Sequence, residues 1–424
     1  MVSLLLAWPL AACGDDTHGG GVVNATDTHG ATSDSADASV GADTAAEDSS
    51  VPVDSNAPAD TLVADDTGVA ADTLVADGTV ADDTATPVDT TTPVDSTTPV
   101  DTTTPTDTTV AASCPPPACN AALPDLGATS DWNNLGSIAT TVLGGDRHRG
   151  RDLYLREGDD QWALAKFAYG ALDSDLKGED VDIWLLRDCG TTWELLGTAT
   201  TTNDGDHATV EGVEDSGGWV YFKIPTAKAL GLGRHRLVFV VKGDHTLAEQ
   251  FIEVLPADAR FVVTDVDGTQ TESETAEFTA IFLGSDPAAQ PHGAEALTAF
   301  AARGYHIFYL TARPEWLTAQ THTWLDAHGY PPGEVHTTWT FTGAFSTAAE
   351  TFKTDELDAL LARFAGGVAF GIGNTATDEA AYENVGIPAD HAYLYQFDPT
   401  SSGTRIDDYA NLVGVANAQP ELCE

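Results

Sequence analysis

The sequence predicts a two-domain globular body, an antiparallel β-sandwich followed by an α/β domain with a parallel sheet, carried on a long acidic tether. Three observations predict it. Of the 424 residues, 66 are Asp or Glu and 18 are Lys or Arg, and residues 14–113 hold 20 of the acids and none of the bases. Between Gln161 and Pro256, short apolar runs alternate with polar residues at period two, as in Val181-Asp182-Ile183-Trp184, which is the pattern of strands with one buried face. From Arg260 onward, short apolar runs alternate with stretches of helical spacing, which is the pattern of a parallel sheet flanked by helices. The net charge of −48 excludes nucleic-acid binding that relies on neutralising phosphates.

The chain starts with an apolar stretch, Val2–Leu10, leading into Leu10-Ala11-Ala12-Cys13. A stretch of nine residues is too short to span a bilayer. The pattern resembles a bacterial lipobox. That implies a signal peptide over 1–13, acylation at Cys13 and an exported, membrane-anchored lipoprotein. Gly14, where an Asp would resemble an inner-membrane retention signal, favours the outer membrane. No Lys or Arg precedes the apolar run, a departure from the pattern. Residues 14–113 repeat Ala-Asp-Thr-Leu-Val-Ala-Asp at Ala59 and Ala71, then Thr-Pro-Val-Asp at Thr86, Thr92 and Thr98. Without aromatics they cannot bury enough surface to offset the entropy of ordering, so the segment reads as a disordered spacer. Cys114, Cys119, Cys189 and Cys423 imply up to two disulfides in an exported chain, with three connectivities open.

The sandwich domain is assigned to 114–256. Its expected strands are Trp162–Tyr169, Val181–Leu186, Trp193–Thr198, Thr209–Val213, Trp219–Ile224, Arg236–Val241 and Gln250–Leu255. This architecture is similar to immunoglobulin-like modules of bacterial surface proteins. Its basic residues, Arg147, Arg149 and Arg151 among them, are expected on a solvated face, with acidic lipid as the other reading.

The second domain is assigned to 257–424. Strands are expected at Phe261–Thr264, His306–Leu310 and Val368–Gly371, and helices at Ala294–Arg303, Glu315–His328, Leu357–Phe364 and Thr377–Val385. Its first strand runs into Asp265-Val266-Asp267-Gly268-Thr269. Alternate residues of an extended chain point the same way, so Asp265 and Asp267 face one crevice. Two such carboxylates need a cation or a shared proton, which suits phosphoryl transfer with Mg2+. Thr311 and Arg313 follow the second strand, Lys353 precedes the Leu357 helix, and Asn374 and Asp378 follow the strand Val368–Gly371.

The motif order resembles the haloacid dehalogenase-like phosphatases, and most closely the catalytic domain of the lipins, magnesium-dependent phosphatidate phosphatases. The resemblance implies a Rossmann-like fold. Asp265 becomes the nucleophile, Asp267 the general acid and base, and Thr311 and Lys353 the holders of the phosphoryl oxygens. Asp265, the Asp267 carbonyl, and Asn374 or Asp378 become the Mg2+ ligands. Gly268, Thr269 and Arg313 fall on the substrate side. Thr375 stands where many lipins carry Arg. The expected activity is hydrolysis of phosphatidate or a related lipid phosphate through an aspartyl-phosphate. The alternatives are an inactive lipid-sensing module, a phosphatase for soluble phosphomonoesters, or an adhesion protein whose sandwich does the work. Residues 257–424 hold 6 bases against 24 acids, so membrane proximity is assigned to the lipid anchor rather than to a basic surface. Phe278, Ile281 and Phe282, in a short flap over Gln270–Gly284, are either an apolar entrance or local packing.

Overall fold

The computed structural model describes residues 114–272 and 287–423, all within one compact unit. The lipobox, the tether and the three flap residues lie outside the described residues. A short helix, α1 (Leu135–Thr141), precedes ten strands: β1 (Arg149–Gly150), β2 (Leu153–Arg156), β3 (Trp162–Lys166), β4 (Ala168–Tyr169), β5 (Ser174–Asp175), β6 (Asp180–Leu186), β7 (Trp193–Thr200), β8 (Trp219–Lys223), β9 (Gly233–Val241) and β10 (Leu247–Leu255). One sheet has the order β1-β3-β8 and the other β2-β10-β9-β6-β7, with β4 and β5 paired apart. Phe167, Ile183, Trp219 and Phe239 are in the core of this sandwich. Two expectations are corrected. The sandwich is not purely antiparallel, because β2 joins β10 in parallel. Thr209–Val213 is a tight turn closed by a single bridge between Val210 and Val213, since Gly212 takes a left-handed φ of 76° and turns the chain back.

The second domain contains β11 (Phe261–Thr264), α2 (Gly293–Ala301), β12 (His306–Pro314), α3 (Thr318–Ala327), β13 (Gly333–Thr338), α4 (Thr347–Arg363), β14 (Val368–Gly373), α5 (Ala376–Asn384), β15 (Ala392–Tyr395), β16 (Thr404–Ile406) and α6 (Ala410–Asn417). Its six strands run in the order β13-β12-β11-β14-β15-β16, all neighbours parallel. The chain builds outward one way from β11 and then the other way from β14. The crevice beyond their C-terminal ends is therefore the topological switch point, where ligands of open α/β sheets bind.

The two domains share a core. Tyr154 and Leu255 of the sandwich pack with Phe261, Phe308 and Phe364, and the Tyr154 hydroxyl donates to the Ile307 carbonyl at 2.7 Å. Around this contact Arg149 meets Glu315 at 2.7 Å, Arg151 meets Glu356 at 2.7 Å and Arg234 meets Glu334 at 3.2 Å. Asp152, fully buried, meets His322 at 2.8 Å and accepts from the Val335 amide at 3.0 Å. Arg149 and Arg151 thus face neither solvent nor lipid: Arg149 pairs with Asp173 of the sandwich and Glu315 of the second domain, and Arg151 with Glu356 of the second domain. Disulfides join Cys114 to Cys423 and Cys119 to Cys189.

Candidate functional site

β11 is a four-residue buried strand at the centre of the sheet, and the chain leaves it with the Asp265 amide still bonded to the Ile372 carbonyl at 3.0 Å. That bond anchors Asp265 at the mouth. Gly268, at φ 68°, then turns the chain in a conformation that favours glycine. Asp265 and Asp267 line one cleft of about 310 Å³ with Lys353, Thr375, Thr377, Ser346 and Phe345.

Lys353 lies inside α4 rather than before a helix starting at Leu357. It shares the buried face of α4 with Ala349, Leu357 and Leu360, and its Nζ lies 3.0 Å from Asp265 Oδ1 and 2.6 Å from Asp378 Oδ1. All three side chains are almost completely buried. Burial would lower the Lys353 ammonium, but Asp265 and Asp378 outweigh it and hold it above its ordinary range. Burial pushes the Asp265 carboxyl up to about 7; Lys353 opposes the rise, and the charges of Asp378 and Asp267 add to it.

Asp378 has both oxygens engaged. Oδ1 takes Lys353, and Oδ2 accepts from the Asn374 and Thr375 amides, each at 3.1 Å, and from the Thr375 hydroxyl at 2.7 Å. With Thr375 it forms a capping box at the start of α5, so the residue that holds Lys353 also satisfies a helix end. Asn374 Oδ1 accepts from the Thr269 hydroxyl at 2.8 Å, and the same hydroxyl is 3.4 Å from Asp265.

Thr311 and Arg313 sit where β12 loses register with β13, between Leu310 and Pro314. Both reach Asp267. The Thr311 hydroxyl donates to Oδ2 at 2.9 Å, and Arg313 grips the carboxylate with Nε at 2.9 Å and Nη2 at 2.7 Å from Oδ1. Arg313, expected on the substrate side, is 2% exposed and clamps an acidic side chain. The fold thus brings together Asp265, Asp267, Thr269, Thr311, Arg313, Lys353, Asn374 and Asp378. Thr375, marked in the sequence only as a departure from the resembled pattern, had no role assigned, and neither had Thr377, Ser346 and Phe345. The first two had a signal, as the hydroxyls of Asn-Thr-Ala-Thr-Asp at a strand end. The other two had none, because the loop carrying them has no motif. Among the described residues, no group of three or more His, Cys, Asp and Glu is placed to hold a metal ion.

Residues 146–210 match the model of the PITM 1-3 beta-sandwich domain, and residues 262–396 match that of the PITM 1-3 LNS2 domain. The LNS2 fold is haloacid dehalogenase-like and related to the lipin catalytic domain. Protein retinal degeneration B of Drosophila melanogaster is 28% identical over 249 residues, 58% of this chain and 18% of that one. Membrane-associated phosphatidylinositol transfer protein 2 of Homo sapiens is 32% identical over 190 residues, 44% of this chain and 13% of that one. The chain therefore spans less than a fifth of these relatives' length. Among solved structures, an oxidised superoxide reductase aligns over 30% of this chain and 95% of its own at 15% identity, with a TM-score of 0.17, too slight a likeness to bear on the fold.

Proposed function

We propose that the cleft hydrolyses phosphomonoesters, with lipid phosphates such as phosphatidate as substrates, in a haloacid dehalogenase-like domain of lipin type. The observation that carries this reading is Lys353 held between two buried carboxylates, one of which, Asp265, faces the cleft beside Asp267. An Asp265 oxygen attacks phosphorus, the bond to the leaving oxygen breaks, and an aspartyl-phosphate forms. Asp267 protonates the leaving alcohol, then takes a proton from the water that releases inorganic phosphate. Lys353 and Thr311 hold the phosphoryl oxygens. For Asp267 to move a proton, Arg313 must release it, and the incoming phosphate is an alternative anion for that guanidinium.

The site fits Mg2+. A buried carboxylate pushed up to about 7 is a group that a bound cation holds ionised. The Asp265 carboxylate, the Asp267 backbone carbonyl and the Asn374 amide oxygen are the hard donors that would hold the ion, with water completing the set. Mg2+ would offset the charge gathered on carboxylate and phosphate. Asp378, its oxygens engaged elsewhere, becomes the positioning residue for Lys353 in this reading rather than a ligand.

The test is a substrate panel on the full chain, with Mg2+ and with chelator, comparing p-nitrophenyl phosphate, sugar phosphates and phosphatidate in mixed micelles. Mg2+-dependent turnover, strongest on phosphatidate and abolished by Asp265→Asn, supports the reading. Turnover confined to soluble esters removes the lipid. A second reading, recognition of a lipid phosphate without turnover, is favoured by the Arg313 clamp on Asp267 and by relatives named as phosphatidylinositol transfer proteins. It predicts no hydrolysis, with phosphatidate binding lost in Lys353→Ala. The proposal includes an exported lipoprotein acylated at Cys13, with 14–113 as tether ahead of domains at 114–256 and 257–424. The sequence Leu10-Ala11-Ala12-Cys13 supports it, as do two disulfides in the globular body, which suit an oxidising compartment.

A further inference from the structure

Two segments stand out against the charge of this chain. Trp132–Gly145 and Thr337–Ala349 carry no charged side chain, in a body from 114 onward with 46 acids and 18 bases. Both expose large apolar groups. In the first, which contains α1, Leu135 is 89% and Val142 77% exposed, and Leu172 beside it is 83% exposed. In the second, Phe345 is 64% exposed, with Trp339 and Phe341 also open to solvent. The second segment forms the rim of the cleft, since Phe345 lines it beside Asp265 and Lys353.

The two patches are linked. The Gly170 amide, two residues before Leu172, donates to the Gly145 carbonyl at 2.9 Å. Two residues past Gly145, the Arg147 guanidinium lies 4.2 Å over the Trp316 ring. Trp316 Nε1 donates to the Phe341 carbonyl at 2.8 Å. The two exposed patches, one on each domain, are thus joined through the Arg147 guanidinium and the buried Trp316 ring.

We propose that this surface docks on a bilayer of electrically neutral lipid, seating the cleft at headgroup level. This rests on the reading of the cleft as a phosphomonoester site. Trp and Phe among Thr residues suit the depth at which an apolar ring meets water. The excess of acids outside the two segments repels anionic membranes, and it repels a second copy of the same body, which leaves an uncharged lipid surface as the occupant. The acyl chains of a lipid phosphate then stay in the membrane, and only its headgroup enters the cleft.

The test is flotation of the full chain, carrying Cys13→Ser in every sample so that no acyl group supplies the contact, with phosphatidylcholine vesicles lacking any phosphomonoester. The parent is expected to float. Phe341→Ser with Phe345→Ser, and separately Leu135→Ser with Val142→Ser and Leu172→Ser, are expected to cut the bound fraction roughly tenfold each, as partial burial of such side chains implies. Brominated acyl chains are expected to quench the fluorescence that Trp339→Phe removes. Circular dichroism confirms that each variant folds, and the Leu variant is expected to keep its turnover of p-nitrophenyl phosphate. Equal flotation of parent and variants without quenching overturns the proposal, as does a parent that sediments as a dimer which the variants dissociate. Flotation with no turnover in any sample leaves the surface standing and removes the hydrolase reading instead.

Discussion

At the residue scale the site depends on one ammonium between two carboxylates. Replacing Lys353 by Met leaves Asp265 and Asp378 buried without their cation, and breaking a buried pair from one side costs about 3–5 kcal/mol. Lys353→Met is therefore expected to lower the thermal midpoint and to abolish both turnover and phosphatidate binding, whereas Asp265→Asn abolishes turnover and keeps binding. Calorimetry, a vesicle-binding assay and a phosphate-release assay read the three outcomes. The pairing of Asp265 and Asp267 was legible because a strand has a period of two. The place of Lys353 was not. A Lys between Ala349 and Leu357 breaks the apolar stripe that marks a helix, so the sequence pattern places the helix start at Leu357. Only the two carboxylates, remote in sequence, make that buried position tolerable. The Arg313–Asp267 clamp was hidden for a similar reason, since a cation beside a cleft reads as a substrate contact until its carboxylate partner is seen.

At the element scale, β14 must pass α5 closely enough for Asp378 to cap the helix and reach Lys353. Gly373 allows that approach, because a Cβ there would collide with the Asp378 side chain. Gly373→Ala is expected to displace Asp378, reduce turnover by roughly a hundredfold, as loss of precise positioning does, and lower the melting temperature. A crystal structure of the variant and a phosphate-release assay check both. The elements best read from sequence were those with apolar faces, β11, β14 and α2. β13 was missed because its polar residues are buried by the opposite domain, and β2 because Leu-Tyr-Leu-Arg is too short to show a period. Every residue of β13 is buried, but Glu334 and His336 break any apolar pattern. The arginines around β2 looked solvated for the same reason.

At the scale of the whole molecule, the charges between the domains set the acid limit of stability. Burial would raise the Glu356 carboxyl, but Arg151 and His336 outweigh it and hold it down at about 2. A carboxyl depressed on folding stabilises the protein above its unfolded value, and that contribution disappears as pH falls from 4.5 toward about 2. It amounts to about 3 kcal/mol. Glu356→Gln is expected to flatten the fall in unfolding free energy across that window, and also to weaken the protein at pH 7 because Arg151 loses its partner. Denaturant titrations at several pH values test this. The shared core further predicts a single unfolding transition, with Tyr154→Phe lowering it for both domains together, read by circular dichroism and tryptophan fluorescence.

The bridge between Cys114 and Cys423 turns everything between them into a covalent ring. One peptide bond cut anywhere along that ring opens it without freeing a fragment, so a nicked molecule keeps its mass until a reductant is added. Sandwich and cleft therefore stay in one piece after a single protease hit.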